Sequence, residues 1–247
     1  MSTIEPSDVA NEGGWASEGE SDLSGRLALV RSRIADAARA ASRSSEELTL
    51  IAVTKFHEAR LLRDLAALGL TDFGESRHQE AREKVAELAD LDATWHFIGQ
   101  LQSKKARQVA AYANVIHSLD TAALADLIAT SERVAAGATI DCFVQVNLTD
   151  DEARGGVAPG EAEALAAHID GLSGLRLLGV MGVAPNDGEP RRAFERLRHV
   201  SMDVRRSVPR ASGISAGMSN DFAEAIAEGA THLRIGSAIT GNRPERR

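Results

Sequence analysis

The chain has 247 residues and a formal net charge of −8 at pH 7. Six acidic residues precede Arg26, the first arginine or lysine, so the charge is concentrated in the leader and the remaining chain is nearly neutral. A body without a basic surface argues against a nucleic-acid partner. The single cysteine excludes an intramolecular disulfide, and no apolar run has the length of a membrane span or follows the pattern of a secretory signal. We therefore expect a cytoplasmic protein with no membrane partner.

The first segment, residues 1–23, is rich in Ser, Glu and Gly and contains few apolar residues. Such a segment cannot bury enough apolar area to offset its ordering entropy, and we expect an acidic, disordered leader. Residues 24–247 are predicted to form one folded domain. Its first element is a helix, because Leu27, Val30 and Ile34 recur at three- and four-residue steps.

Short apolar runs then alternate with segments of helical spacing. The predicted strands are Leu48–Thr54, Thr71–Gly74, Thr94–Gly99, Val115–Leu119, Ile140–Leu148, Leu175–Val180, Gly213–Ala216 and Thr231–Ile235. The predicted helices include Ala59–Leu68, Gln79–Leu88, Ala122–Ala135, Pro159–Ile169, Arg191–Val208 and Asp221–Ala227. Strict alternation requires a parallel sheet with crossover helices, and eight repeats predict a single (β/α)8 TIM barrel with a leading N-terminal helix. A doubly wound open sheet is the alternative, but no Gly-x-Gly-x-x-Gly follows the first strand.

Lys55 directly follows the first predicted strand, at the end of the barrel where reactive groups gather. A lysine that is partly desolvated in a barrel mouth has more free amine, which can attack an aldehyde to form a Schiff base. The chain has only three other lysines: Lys84 on a helix, and the adjacent Lys104 and Lys105 after the third strand. By position alone, a solvated lysine at a strand end is the plainer interpretation of Lys55.

Glycine and serine follow the last two strands, in Ser215-Ala-Gly-Met-Ser219 and in Gly236-Ser237. In barrels these two loops often hold phosphate, because helix N-termini and closely approaching backbone form an anion cradle. The eighth strand is adjacent to the first in a closed barrel, so Lys55 and the two loops come within reach of one small aldehyde phosphate. Pyridoxal 5'-phosphate (PLP) fits that description.

Arg234 lies on the eighth strand. A guanidinium that faces the pyridine nitrogen only donates, so the ring nitrogen stays unprotonated and the ring stabilises carbanions poorly. Such a site would hold the cofactor well and catalyse poorly. The alternative is that Arg234 points to solvent or to a carboxylate.

Five motifs resemble the YggS/PROSC family of pyridoxal phosphate homeostasis proteins, over about residues 27–241. They are Ile51-Ala-Val-Thr-Lys55, Phe73-Gly-Glu-Ser, Trp95-His-Phe-Ile-Gly-Gln-Leu-Gln-Ser-Lys, Gly217-Met-Ser219-Asn-Asp and Arg234-Ile-Gly-Ser-Ala. The resemblance implies a fold-type III barrel similar to the alanine racemase N-terminal domain, with Lys55 as the internal aldimine lysine. It also implies that Ser219, Gly236 and Ser237 bind the phosphate and that Arg234 lies near the pyridine nitrogen. The implied role is vitamin B6 and amino-acid homeostasis without an established catalytic reaction.

Several positions depart from the family pattern: Ser76, Arg77, Arg154-Gly155, Ser237 and Thr240. The usual Asn-Tyr pair is Ser76-Arg77 here, so a polar contact and an aromatic neighbour of the cofactor are missing from their usual places. Ser237 replaces threonine and keeps the hydroxyl. We expect cofactor binding to survive these changes, with an effect on affinity or release.

Two enzyme classes are alternatives to a cofactor carrier. An amino-acid racemase needs a second base, and the only tyrosine, Tyr112, lies on or just after the helix that follows the third strand. A Schiff-base aldolase needs a general acid or base, for which Glu75, His96 and His117 are candidates, although packing or hydrogen bonding is the plainer interpretation of each histidine. No metal-ligand spacing occurs. PLP-dependent apoenzymes are candidate recipients of the cofactor, and we expect a monomer or weak dimer.

Overall fold

The computed structural model describes residues 22–149, 151, 154–185 and 188–241. The predicted leader therefore lies outside the described residues, except for Asp22 and Leu23. Helix α1 (Leu23–Ala40) begins one residue before the predicted boundary of the folded domain. Asp22 caps it, because its carboxylate accepts a hydrogen bond from the Gly25 N–H at 2.8 Å. The predicted apolar face of this helix is buried.

Eight parallel strands in the described part of the chain close into one barrel, in the order in which they occur. They are β1 (Thr49–Val53), β2 (Asp72–Glu75), β3 (Thr94–Phe97), β4 (Val115–Leu119), β5 (Ile140–Gln145), β6 (Leu175–Met181), β7 (Gly213–Ser215) and β8 (His232–Ile235). Strand β8 pairs with β1, with His232 opposite Thr49, and this pairing closes the sheet. The predicted (β/α)8 barrel with a leading helix is confirmed, and each predicted strand lies within a few residues of its observed bounds.

Helices follow the strands on the outside of the barrel. After α1 they are α2 (Ala59–Ala67), α3 (His78–Glu87), α4 (Ala106–Ala110), α5 (Ala122–Ala129), α6 (Glu132–Ala135), α7 (Ala162–Asp170), α8 (Pro190–Ser207), α9 (Phe222–Ala227) and α10 (Ser237–Thr240). Short 3-10 turns at Ser45–Glu47, Ser103–Lys105 and Pro159–Glu161 precede β1, α4 and α7. Across the described residues, no helix combines the length and apolar character that a membrane crossing requires.

The prediction of one helix over Ala122–Ala135 is wrong, because the segment forms α5 and α6 with a break at Thr130-Ser131. The Thr130 hydroxyl donates to the Asp126 carbonyl at 2.8 Å, and Ser131 adopts an extended conformation as the residue before α6. Hydroxyl side chains that bond the nearby backbone compete with helix continuation.

The apolar core has two layers, one on each side of the sheet. The larger layer fills the space between the strands and the helices. The smaller layer lies inside the barrel and consists of Val115, Phe143 and Met181. The Phe143 ring also stacks on His117, with the ring centroids 4.6 Å apart. The barrel interior therefore combines an apolar cluster with polar side chains, and those polar side chains lead to the candidate site.

Candidate cofactor site

Lys55 lies in a tight turn immediately beyond β1. The His57 N–H donates to the Thr54 carbonyl at 3.1 Å, so Lys55 and Phe56 are the two central residues of the turn. Phe56 has a φ of 71°, a conformation that fits the second central position of a type II turn but is strained for a bulky residue. The predicted partial desolvation of Lys55 is wrong, because the turn carries its side chain past the strand end and leaves it exposed.

A buried cluster behind this turn fixes its backbone. Lys84 of α3 donates to the Thr54 carbonyl at 2.8 Å, and to Glu75 and Glu80 at 2.7 Å each. Glu80 Oε1 also accepts the Phe56 N–H at 2.5 Å. The Lys84 side chain is 6% exposed and that of Glu75 is 2% exposed, so both charges depend on these partners. Burial raises the pKa of Glu75, and the Lys84 charge opposes that rise. The strained turn is therefore held at both a carbonyl and an N–H.

The two glycine-containing loops lie at the neighbouring strand ends. Gly217 has a φ of 90°, and a Cβ there would approach Ala225 Cβ and Phe222 Cα to 2.9 Å, so the position requires glycine. The Ser219 hydroxyl accepts a hydrogen bond from the Ala238 N–H at 3.4 Å. This bond joins the loop after β7 to the first turn of α10, which Ser237 begins.

Gly236 connects these loops to the Lys55 turn. A Cβ on Gly236 would lie 3.5 Å from both the Cβ and the carbonyl oxygen of Val53, the last residue of β1. The structure thus brings Ser219, Gly236 and Ser237 beside the strand end that carries Lys55, in the arrangement that the sequence predicts. Ser219 and Gly236 are half-buried and Ser237 is exposed.

Arg234 points into the barrel, and only 5% of the residue is exposed. Its Nη1 donates to Ser215 Oγ at 2.5 Å and its Nη2 donates to the Gly182 carbonyl at 2.9 Å. Burial lowers the pKa of Arg234 to about 10, which leaves the guanidinium charged at neutral pH, and the Asp221 carboxylate opposes this shift. Neither alternative orientation is observed: the side chain avoids solvent, and no carboxylate of a described residue forms an ion pair with it. The remaining N–H groups are available to a ligand acceptor.

The candidate acids and bases of the enzyme alternatives are bound to other side chains. Glu75 faces α3 and is bound by Lys84, and Tyr112 lies 3.5 Å from His78 just beyond α4. His96 and His117 are buried inside the barrel, hydrogen-bonded to each other at 3.0 Å. Both histidines therefore agree with the plainer interpretation of packing and hydrogen bonding. None of the described residues form a group of His, Cys, Asp and Glu side chains that could hold a metal ion.

The sequence departures occupy defined places. The Arg77 guanidinium lies 4.8 Å from the centre of the Phe56 ring, so it covers the turn where the family has an aromatic residue. The Thr240 hydroxyl donates to the Gly236 carbonyl at 3.3 Å. The Gly155 carbonyl accepts from the Gln145 amide at 2.8 Å, inside the loop that follows β5. Arg77, Thr240 and Gly155 thus each make a local contact in the turns and loops that follow the strands.

Lys84 and Glu80 were not predicted as parts of this site. The signal was present, because Glu80 and Lys84 are four residues apart on one helix and form an i,i+4 pair. That spacing predicts an exposed salt bridge, and only the packing of α3 against β1 and β2 turns it into a buried cluster.

Fold and site together define a parallel barrel of the alanine racemase type. The family described as "Alanine racemase, N-terminal domain" matches residues 28–244. The protein named "Pyridoxal phosphate homeostasis protein" from Mycobacterium leprae (strain TN) is 40% identical over 242 residues, which span 90% of this chain and 93% of that protein. The protein of that name from Escherichia coli (strain K12) is 36% identical, over 90% of this chain and 97% of that protein. The chain belongs to the pyridoxal phosphate homeostasis protein family.

Solved structures agree with this assignment. PipY of Synechococcus elongatus PCC7942, in a structure described as having PLP bound, is 35% identical with a TM-score of 0.77, over 89% of this chain and 100% of that chain. An alanine racemase of Clostridium difficile 630 has a TM-score of 0.71 at 12% identity, over 90% of this chain and 57% of that one. The second similarity shows the fold alone.

Proposed function

We propose that this protein binds PLP as a Schiff base on Lys55 and serves as a cytoplasmic carrier in PLP homeostasis. The observation that carries the proposal is the close approach of Gly236 to Val53, where a Cβ on Gly236 would lie 3.5 Å from Val53 Cβ. It sets the loop that we propose for the phosphate beside the strand that precedes the Lys55 amine. A small ring that carries both an aldehyde and a phosphate offers one group to the amine and the other to the loop. The relatives named for pyridoxal phosphate homeostasis, and the PLP described in PipY, support the same ligand.

The residues fit the cofactor at three points. Lys55 supplies an exposed amine that forms no hydrogen bond or ion pair with the described residues; its Nζ lies 5.8 Å from the Phe56 ring centre. Ser219, Gly236 and Ser237 supply hydroxyls and a backbone that approaches closely, as a phosphate requires. Arg234 supplies a buried cation with unused donors for the ring nitrogen. When bound, the cofactor contributes an aldehyde carbon that condenses with amines and a ring that withdraws electrons.

The same residues favour a carrier over a catalyst. If Arg234 donates to the ring nitrogen, that nitrogen stays unprotonated, which weakens the electron sink that racemisation uses. Tyr112, the only tyrosine of the chain, lies just beyond α4 and contacts His78, the first residue of α3, at 3.5 Å. We therefore propose that the chain holds PLP without turning over an amino acid, and that PLP-dependent apoenzymes are its recipients.

The test is the visible absorption spectrum of the purified full-length protein incubated with PLP, followed by borohydride reduction and peptide mass mapping. We expect a visible band that disappears on reduction and a pyridoxyl-phosphate mass on the peptide that contains Lys55. Lys104 is the matched control, because it is an exposed lysine that follows β3. Lys55→Ala should remove the label and Lys104→Ala should keep it. A label that is equally strong in Lys55→Ala would overturn the assignment.

A further inference from the structure

A linear chain of hydrogen-bonded side chains crosses the inside of the barrel and ends at Arg234. Arg234 Nη1 donates to Ser215 Oγ, which lies 2.8 Å from His117 Nδ1. His117 Nε2 lies 3.0 Å from His96 Nδ1, and His96 Nε2 lies 2.9 Å from Asp72 Oδ1. We call Asp72, His96, His117 and Ser215 the Asp72 chain. Its members come from β2, β3, β4 and β7, and it meets β8 at Arg234.

The two ends of the Asp72 chain lie at different depths. Asp72 is the first residue of β2, at the barrel end opposite the mouth, and its side chain is 24% exposed. Arg234 is the third residue of β8, two positions before the glycine of the phosphate loop. Between them, His96, His117 and Ser215 are at most 3% exposed, so water does not substitute for their mutual contacts. The chain therefore connects the lower end of the barrel to the proposed ring site.

When both histidine rings are neutral, the chemistry of the two ends gives every bond one direction. A guanidinium only donates and a carboxylate only accepts. Ser215 therefore accepts from Arg234 and donates to His117 Nδ1. His117 in turn donates from Nε2 to His96 Nδ1, and His96 donates from Nε2 to Asp72. In this arrangement each of the three middle groups donates once and accepts once, and both histidine rings are neutral.

The reversed direction is less favourable for an electrostatic reason. It would require both nitrogens of His96 to donate, and therefore an imidazolium inside the same barrel as the buried Arg234 guanidinium. It would also direct the His117 Nδ1 proton at Ser215, whose hydroxyl hydrogen would then need another acceptor. Burial lowers the pKa of His117 well below its ordinary value, which agrees with a neutral ring there.

We propose that the Asp72 chain positions the Arg234 guanidinium, holding it in one orientation toward the ring of the bound cofactor. This inference rests on the proposed function. Ser215 Oγ and the Gly182 carbonyl fix two corners of the guanidinium, and the histidines keep the serine hydroxyl turned away so that its lone pair faces Arg234. The free protein thus holds the arginine in place before the cofactor arrives, which reduces the entropy lost on binding. A residue as distant as Asp72 then affects cofactor release.

The first experiment reads the hydrogen positions directly. Imidazole nitrogen shifts of the uniformly labelled, full-length protein without cofactor, measured by NMR at neutral pH, distinguish the two neutral tautomers from the imidazolium. We expect the hydrogen on Nε2 in both His96 and His117. His232 is the internal reference. Its Nδ1 contacts the Thr231 hydroxyl at 2.8 Å, and it is not a member of the Asp72 chain. A hydrogen on Nδ1 of His117, or a doubly protonated His96, would overturn the proposed direction.

The second experiment measures function in the PLP-loaded protein. Ser215→Ala removes one of the two acceptors of Arg234. We expect PLP release to become about tenfold faster, the factor of a hydrogen bond to a charged group worth about 1.4 kcal/mol. The visible band should shift while Lys55 remains the labelled residue. Ser118→Ala is the matched control, since Ser118 is a buried serine of the same barrel whose hydroxyl has no partner in the described residues. Release from Ser118→Ala should match the wild type.

Asp72, at the other end of the Asp72 chain, provides an independent pair of variants. Asp72→Asn keeps an oxygen that accepts from His96, whereas Asp72→Leu removes it and frees the tautomers. We expect Asp72→Leu to accelerate release in the same direction as Ser215→Ala, and Asp72→Asn to restore most of the wild-type rate. If PLP is released from both Ser215→Ala and Asp72→Leu at the wild-type rate, the positioning role is overturned. If the wild-type protein acquires no PLP on Lys55, the proposed function fails instead. The NMR result then still decides the direction of the hydrogen bonds in the Asp72 chain.

Discussion

The turn that carries Lys55 and the cluster behind it contain two lysines in opposite environments. Lys55 is exposed, and its amine forms no hydrogen bond or ion pair with any residue in the described ranges. Lys84 is buried, and its amine donates to three acceptors. The two are linked through Thr54, whose carbonyl accepts from Lys84 immediately before Lys55 in the chain. The barrel thus leaves one amine free to react by fixing the backbone beneath it with the other.

This division of roles explains a strained turn at the candidate site. Phe56 needs a positive φ, which costs a residue with a side chain about 1–2 kcal/mol. Such a conformation persists only when surrounding contacts determine it. The Thr54 carbonyl and the Phe56 N–H flank Lys55, and both end on the Glu80–Lys84 pair. Changes to the buried lysine should therefore affect stability, and changes to the exposed lysine should affect chemistry alone.

The largest expected effect comes from Lys84→Met, which keeps the length of the side chain and removes its charge. Glu75 and Glu80 would then remain close together without a cation, and we expect the protein to lose about 3–5 kcal/mol of unfolding free energy. For a domain of this size that corresponds to a fall in Tm of about 10 °C, measured by calorimetry. Lys104→Met, at an exposed lysine, should change stability by less than about 0.5 kcal/mol. Equal stabilities of the two variants would contradict the proposed contribution of the buried pair.

Glu80→Gln should have an intermediate effect. The amide still accepts from the Phe56 N–H, but the charge-assisted bonds to that N–H and to Lys84 become ordinary ones, a loss of about 1–2 kcal/mol. The loosened turn should also release PLP several-fold faster, which stopped-flow transfer to an apoenzyme would measure. Glu87→Gln is the control, because Glu87 is exposed on the same helix. A release rate that is unchanged in Glu80→Gln would show that the Lys55 turn does not depend on this contact.

The structural features that can be predicted from the sequence are those that a short local pattern determines. The alternation of strands and helices is local, so the barrel and its eight strands are predictable. A closed barrel brings Lys55 next to the loop at Gly236, with the loop at Gly217 one strand further along. Two consecutive hydroxyl residues, Thr130 and Ser131, mark the break inside the predicted helix, because such side chains bond the nearby backbone. The roles assigned to Lys55, Ser219, Arg234, Gly236 and Ser237 in cofactor binding remain predictions, supported by their positions.

What could not be predicted depends on side chains from non-adjacent strands. His96 and His117 are 21 residues apart, and Ser215 is a further 98 residues along the chain, so no spacing rule joins them. Lys84 has a helical neighbour in Glu80, but its contact with Thr54 depends on how α3 packs. Whether a charged side chain faces solvent or a buried acceptor is decided by tertiary packing, which amphipathic spacing does not resolve on a short helix.

The pH dependence of stability offers a finer test of the buried cluster. Burial raises the pKa of Glu75 above its ordinary value of 4.5. A carboxyl whose pKa is higher in the folded state contributes stability that is complete below the unfolded pKa and is lost as the pH rises through the folded pKa. Wild-type stability should therefore decline relative to Glu75→Gln as the pH rises above 4.5. Urea unfolding of both proteins across that range measures the difference, and a difference that stays constant or changes in the opposite direction would contradict the raised pKa.

The smallest effect on stability is expected from Lys55→Ala. The side chain is exposed and, among the described residues, contacts only the neighbouring Phe56 ring, so unfolding free energy should change by less than about 0.5 kcal/mol. The same variant should lose all borohydride-trapped PLP, and calorimetry together with peptide mass mapping measures both quantities on one sample. A large loss of stability would mean that the free amine also supports the turn. An unchanged fold without label would instead separate the two lysines completely, with Lys84 holding the backbone and Lys55 holding the cofactor.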